Sequence, residues 1–206
     1  MTVRIKICGI TNLADARLAV ELGADALGFI FYRQSKRCIA PSLAKEICAA
    51  LPPFVAKVGV FVNESAAGIQ QTLVDCRLDV VQLHGEELPG FCRQLPVKII
   101  KAIWVQDADS LRAAAEYDVD ALLLDTYTAE QRGGTGQTFD WTLARQAKTL
   151  LRSPIILSGG LTPENVGVAI RQAEPFAVDV ASGVESEPGR KDPEKLRRFI
   201  KACRQN

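Results

Sequence analysis

Histidine is almost absent from this chain, with His84 alone among 206 residues. No histidine spacing for zinc can be assembled, and the six scattered cysteines (Cys8, Cys38, Cys48, Cys76, Cys92 and Cys203) include no C-x-x-C pair to replace it. No metal site is therefore expected. The scatter suggests no disulfide framework either, so a reduced compartment fits, and the five cysteines other than Cys8 are expected as small packing residues, buried or half-buried. An excess of charge of one sign is also missing. Lys and Arg number 25 against 24 Asp and Glu, a net charge of +1, which argues against nucleic acid as a partner. No apolar run approaches the ~18 residues that cross a bilayer, and Met1 to Lys6 offers no apolar signal core, so no membrane contact and a cytoplasmic location are expected.

Linkers and low-complexity tracts are lacking too, while 48% of the residues are apolar. This length fills one core and is short for two, which predicts a single domain over residues 1–206. Within it, short β-branched runs alternate with longer amphipathic stretches. Strands are expected at Arg4 to Ile7, Ala26 to Phe31, Ala56 to Val62, Asp79 to Leu83, Val97 to Ile103, Ala121 to Leu124, Pro154 to Leu157 and Ala177 to Ala181. Helices are expected at Ala14 to Leu22, Leu43 to Leu51, Ala66 to Cys76, Glu87 to Leu95, Ala108 to Tyr117, Thr142 to Leu151, Pro163 to Ala173 and Pro193 to Cys203. Thr11-Asn12, Asn63-Glu64-Ser65 and Thr162 stand where helix caps belong, the last followed by proline at the first helical position.

Three helix-to-strand junctions share a pattern in which Asp25, Asp79 or Asp120 precedes a largely apolar strand. Continuous hydrophobicity means burial on both faces, as parallel strands covered by helices require. Eight strand–helix units of about 26 residues predict an α/β fold, the (β/α)8 TIM barrel. An open doubly wound sheet is the alternative, but Cys8-Gly9-Ile10-Thr11-Asn12 is not the G-x-G-x-x-G turn it would want.

In such barrels the chemistry sits at the carboxyl ends of the strands, and phosphate is commonly held by the loops after strands seven and eight. Ser158-Gly159-Gly160 and Ala181-Ser182-Gly183 fall in those loops. Either alone would be an ordinary turn; together they point to a phosphate site formed by Gly159, Gly160, Ser182 and Gly183. Ring closure would set strand one, ending at Cys8, and strand six, ending at Asp125, on either side of it. A thiol and a carboxyl so placed can serve as base and acid, provided the thiol, with a reference pKa near 8.5, is helped by loop amides or a cation. From the residues alone, Cys8 is also readable as a packed thiol and Asp125 as a loop cap.

Lys6-Ile7-Cys8-Gly9-Ile10-Thr11, Gly59 to Asn63, Val81-Gln82-Leu83-His84-Gly85, Leu122 to Asp125, Gly133 to Gly136 before Phe139-Asp140-Trp141, Leu157 to Leu161, and Val178 to Glu185 follow one another over the whole chain. This succession resembles phosphoribosylanthranilate isomerase of tryptophan biosynthesis. The resemblance implies an Amadori rearrangement of a phosphorylated small molecule without metal or organic cofactor, with Asp125 as general acid and Cys8 as general base. It further implies that Arg37 meets the anthranilate, by its carboxylate or its ring, and that Gln82, His84 and Asp179 line the pocket. For Arg37 the plain alternative is a solvated loop cation, and for the other three structural hydrogen bonding. The loop from Arg132 to Gly136 is expected to close over the substrate. Pro53 and Phe54 form an apolar loop that either builds a homodimer, as in some members of that family, or covers the barrel floor. Two competing readings are the histidine-pathway isomerase, which acts on a two-phosphate sugar, and a phosphometabolite-binding barrel without catalysis.

Overall fold

The computed structural model describes residues 2–105, 107–126 and 141–205. The expected closing loop, Arg132 to Gly136, and the neighbouring Phe139 and Asp140 lie outside them. Eight strands run parallel: β1 (Arg4–Cys8), β2 (Ala26–Ile30), β3 (Ala56–Phe61), β4 (Val80–Leu83), β5 (Lys98–Val105), β6 (Ala121–Thr126), β7 (Ile155–Leu157) and β8 (Ala177–Val180). They form a closed barrel in chain order, sealed where β1 pairs with β8 in the register Lys6 opposite Asp179. Around it lie α1 (Leu13–Glu21), α2 (Pro41–Ala49), α3 (Ala66–Cys76), α4 (Pro89–Cys92), α5 (Ala108–Ala114), α6 (Trp141–Leu150), α7 (Val166–Ala173) and α8 (Pro193–Arg204).

Two apolar shells explain why these strands read as unbroken hydrophobic runs. Alternate side chains leave a strand on opposite faces. On β6, Leu122 and Leu124 join the large cluster between barrel and helices, whereas Ala121 and Leu123 join Val58, Ile100, Ala102, Ile156 and Ala177 in a second cluster that fills the barrel. The same alternation puts Lys6 and Cys8 inward on β1, against Ile5 and Ile7 in the outer shell. Near the carboxyl ends of β1, β4, β6 and β8 the inward positions are Cys8, Gln82, Asp125 and Asp179, and all four line one pocket.

At the opposite end, the three junction aspartates share one job. The backbone N–H groups of Asp25, Asp79 and Asp120 donate to the carbonyls of Ile5, Lys57 and Ile99, and their carboxylates accept the N–H of those same residues at 2.8–2.9 Å. Each pins the start of an even strand to its odd neighbour. At the fourth such junction Phe176 donates its N–H to the carbonyl of Ile155 and has no carboxylate to return.

Four local expectations need correcting. Helix α7 begins at Val166 rather than Pro163 and its N-cap is Asn165, because Thr162 Oγ1 accepts the Glu164 N–H within a preceding turn. Helix α4 is a single turn, since Glu87, expected to open it, directs its carboxylate to the N–H groups of Asn63 and Gly85 and to Lys101. Past β8 come a 3-10 turn, Ser182–Val184, and a hairpin of β9 (Glu185–Glu187) and β10 (Arg190–Lys191), none of which the hydrophobic pattern announces. Cys38 is exposed, in the loop after β2, unlike the other cysteines. Of the expected cap segments, Thr11-Asn12 supplies Asn12 to α1 and Asn63-Glu64-Ser65 supplies Ser65 to α3, accepting the N–H of Asp15 and Gly68. Among the described residues no helix is long and apolar enough to cross a membrane.

Candidate active site

A pocket of about 520 Å3 opens at the carboxyl ends of the strands. All ten site residues expected from the sequence line it. Cys8 ends β1 and Asp125 lies near the end of β6; Gln82 lies on β4, with His84 just past it, and Asp179 on β8. Arg37 enters from the loop after β2, and Gly159, Gly160, Ser182 and Gly183 come from the loops after β7 and β8.

The two glycine loops meet because of their backbones. Gly159 and Gly160 take φ of 80° and 64°, the left-handed region that glycine enters without a Cβ penalty. Gly183 packs so closely that a Cβ there would lie 1.9 Å from the carbonyl oxygen of Leu161. Asn165 stiffens the first loop, donating from Nδ2 to the Gly160 carbonyl and accepting the Thr162 N–H. Glycine turns joined in this way suit an anion, which backbone N–H groups approach without a side chain intervening.

Opposite Cys8, the carboxyl of Asp125 belongs to a chain of polar groups. His84 Nε2 lies 3.2 Å from Asp125 Oδ2, and His84 Nδ1 lies 3.0 Å from Gln82 Nε2. The tautomer with hydrogen on Nε2 satisfies both contacts, since Nδ1 then accepts from the amide. This leaves Gln82 Oε1, buried and without a hydrogen-bond partner among the described residues, as an acceptor for a hydroxyl or amine of a ligand.

Buried lysines flank Cys8, and sequence reasoning missed both. Lys6 Nζ bonds Asp179 Oδ1 at 2.8 Å in a pair that is almost wholly buried. Lys191, whose side chain is 0% exposed, donates to the Cys8 carbonyl at 2.6 Å, the Ala181 carbonyl at 3.3 Å and Glu185 Oε1 at 2.9 Å. Burial raises the pKa of the Cys8 thiol and Asp179 adds to the rise; Lys6 and Lys191 work against it, and the net shift is upward. For Lys6, burial works against the charge, yet Asp179 and Cys8 together hold its pKa above the ordinary lysine value. The only advance signal for Lys6 was its two-residue spacing from Cys8, which puts both on one strand face. Lys191 gave none, since it reaches the site through the unforeseen hairpin.

Arg37 is no solvated loop cation. Its Nε and Nη2 grip the Glu185 carboxylate at 2.6–3.0 Å. Burial favours the neutral form of Glu185, but Arg37 and Lys191 outweigh it and hold the carboxyl below its usual range. Gly9, with φ of 74°, lets Arg37 lie against β1, for a Cβ there would fall 2.7 Å from Arg37 Cδ. Among the described residues no cluster of His, Cys, Asp and Glu has the makings of a metal site.

The family described as N-(5'phosphoribosyl)anthranilate (PRA) isomerase matches residues 5–202. The N-(5'-phosphoribosyl)anthranilate isomerase of Geobacter metallireducens is 52% identical over 202 residues, which span 98% of this chain and 99% of that one. A crystal structure of phosphoribosyl anthranilate isomerase from Thermotoga maritima superposes with a TM-score of 0.92 at 47% identity, covering 99% of this chain and 100% of that one. Two further structures superpose at 0.89 and 45% identity with the same coverage. One is in complex with reduced 1-(o-carboxyphenylamino)-1-deoxyribulose 5-phosphate, and the other describes monomers generated from the dimeric Thermotoga maritima protein. A closed eight-stranded barrel, likeness over nearly the whole chain and identity near one half place this chain in the phosphoribosylanthranilate isomerase family.

Proposed function

We propose that this chain converts N-(5'-phosphoribosyl)anthranilate into 1-(2-carboxyphenylamino)-1-deoxyribulose 5-phosphate, the third step of tryptophan biosynthesis from chorismate, by an Amadori rearrangement. One observation carries the reading: Cys8 and Asp125 open on the same pocket, with the paired glycine loops of β7 and β8 between their strands. The phosphate sits at Gly159, Gly160, Ser182 and Gly183, which leaves the ribose between thiol and carboxyl.

Asp125, oriented by His84, gives a proton to the furanose ring oxygen. The C1'–O bond breaks, and the nitrogen lone pair closes a C1'=N iminium. That cation acidifies C2'–H, so Cys8 as thiolate removes the proton. The C–H pair becomes the C1'=C2' bond, the iminium π pair returns to nitrogen, and the resulting enolamine tautomerises to the ketone. Placing acid and base on separate strands spares one group from serving both faces of the sugar. Arg37 offers Nη1 and its planar face to the anthranilate while Glu185 holds the remainder of the guanidinium. Gln82 Oε1 and Asp179 serve the sugar hydroxyls. No step calls for a metal or organic cofactor.

The test is a coupled fluorescence assay following loss of phosphoribosylanthranilate. Cys8→Ala and Asp125→Ala should each lower turnover by about 10²–10⁴-fold, the range of a general acid or base, with product-analogue binding largely intact. Near-normal turnover in either variant would remove its assigned role, and wild-type turnover of the two-phosphate substrate of histidine biosynthesis in preference would overturn the substrate assignment.

A further inference from the structure

Cys8 faces more fixed charge than a proton acceptor in a closed barrel needs for packing. Lys6 points the same way from its own strand, Asp179 comes from β8, and Lys191 comes from β10 with Glu185 behind it. Across the pocket stand Asp125 and His84, and the loop after β2 supplies Lys36 and Arg37 at the rim. Of these, Lys6 shares the inward face of β1 with Cys8, two residues before it.

The neighbouring strand leaves room for both heads. Gly28 of β2 is in register with Cys8, and a Cβ on it would lie 2.7 Å from Cys8 Sγ and 3.2 Å from Lys6 Nζ. Thiol and ammonium therefore converge over a position where no side chain fits. Asp179 fixes the ammonium at 2.8 Å.

From this convergence we infer that Lys6 is a positioning residue for Cys8, holding a fixed positive charge beside the sulfur so that the base is available as thiolate. A buried cation next to a cysteine favours the anion, and here it opposes the burial that favours the thiol. Gly28 belongs to the same device, because any larger residue would part the two heads. The inference deepens the proposed isomerase reading, as it takes Cys8 for the base.

Alkylation by iodoacetamide reads the thiolate directly and needs no turnover. Its rate at Cys8, followed on the isolated Cys8 peptide because Cys38 is exposed as well, should be measured against pH in the free enzyme. In Lys6→Met the midpoint should move up by about one unit or more, a tenfold loss of thiolate at each lower pH. Turnover at pH 7.5 should fall by at least about tenfold and recover in part above pH 9, with KM little changed. Should Lys6→Met fail to fold, Lys6→Met/Asp179→Asn removes both members of the buried pair, and its midpoint should still lie above wild type, since the lysine outweighs the aspartate at Cys8. A Cys8 alkylation profile that superposes on wild type in whichever variant folds would overturn the inference. Inactivity of Cys8→Ala bears only on the isomerase reading, so the two failures are distinguishable.

Discussion

At the scale of single residues, Gly183 shows how little freedom the loops after β7 and β8 have. The atom that an added Cβ would meet, 1.9 Å away, is the Leu161 carbonyl oxygen, and backbone cannot swing aside as the end of a flexible side chain can. Gly183→Ala must push the loops after β7 and β8 apart. The expected result is a loss of about 1–3 kcal/mol in urea unfolding, the usual cost of overpacking, together with a KM for the phosphorylated substrate raised more than kcat is lowered. An unchanged KM would separate this contact from phosphate binding. The glycines were legible in the sequence because a turn after a strand is a local feature. Lys6 was not picked out, because its importance lies in burial beside Cys8 and Asp179, and Asp179 is 173 positions away along the chain.

At the scale of elements, the aspartate junctions differ in strength although they share one geometry. Asp25 also pairs with Arg4 and Arg204, each at 2.9 Å, and Arg204 reaches the carbonyls of Val3 and Gly23 from the end of α8. The last helix is thus tied to the first strand at the barrel's seam. Asp79 is more open, with about half its side chain in water. Asp25→Ala should therefore destabilise by about 1.5–3 kcal/mol, as expected for lost bonds to a charged group, and Asp79→Ala by about 1 kcal/mol or less. The pH dependence separates charge from packing. Burial works to raise the Asp25 pKa, but Arg4, the Ile5 N–H and Arg204 outweigh it and hold the carboxyl below its ordinary value. A depressed folded pKa gives stability that is complete above the unfolded value, near 3.9, and is lost as pH falls through the folded one. The gap in unfolding free energy between wild type and Asp25→Asn should begin to narrow as pH drops below about 5 and go on narrowing until pH has passed below the depressed folded pKa, and a constant gap would assign the effect to packing. The repeated acidic position was visible as a pattern in the sequence, but not what it bonds. The β9–β10 hairpin left no trace, since two short polar strands have no hydrophobic period to reveal them.

At the scale of the whole molecule, the eight-fold repeat was readable because each unit carries its own apolar strand and amphipathic helix, and closure follows once all eight are counted. Closure also separates two ends with different work. The side chains proposed as catalytic gather where the strands finish, whereas Phe54, in the loop entering β3, and Phe176, in the loop entering β8, lie where strands begin, and they are 96% and 55% exposed. Aromatic side chains standing in water at one end of a barrel are what an association surface needs. The homodimer expected through Pro53 and Phe54 would use this end and leave the pocket open. Light scattering should then give twice the chain mass for wild type and one chain mass for Phe54→Asp, because a carboxylate cannot be buried in an apolar contact without a partner. Turnover of the monomeric variant should stay within about threefold of wild type, while its thermal midpoint becomes lower and loses its dependence on protein concentration. A wild type that is monomeric and unaffected by Phe54→Asp would return this loop to the role of a cover for the barrel floor.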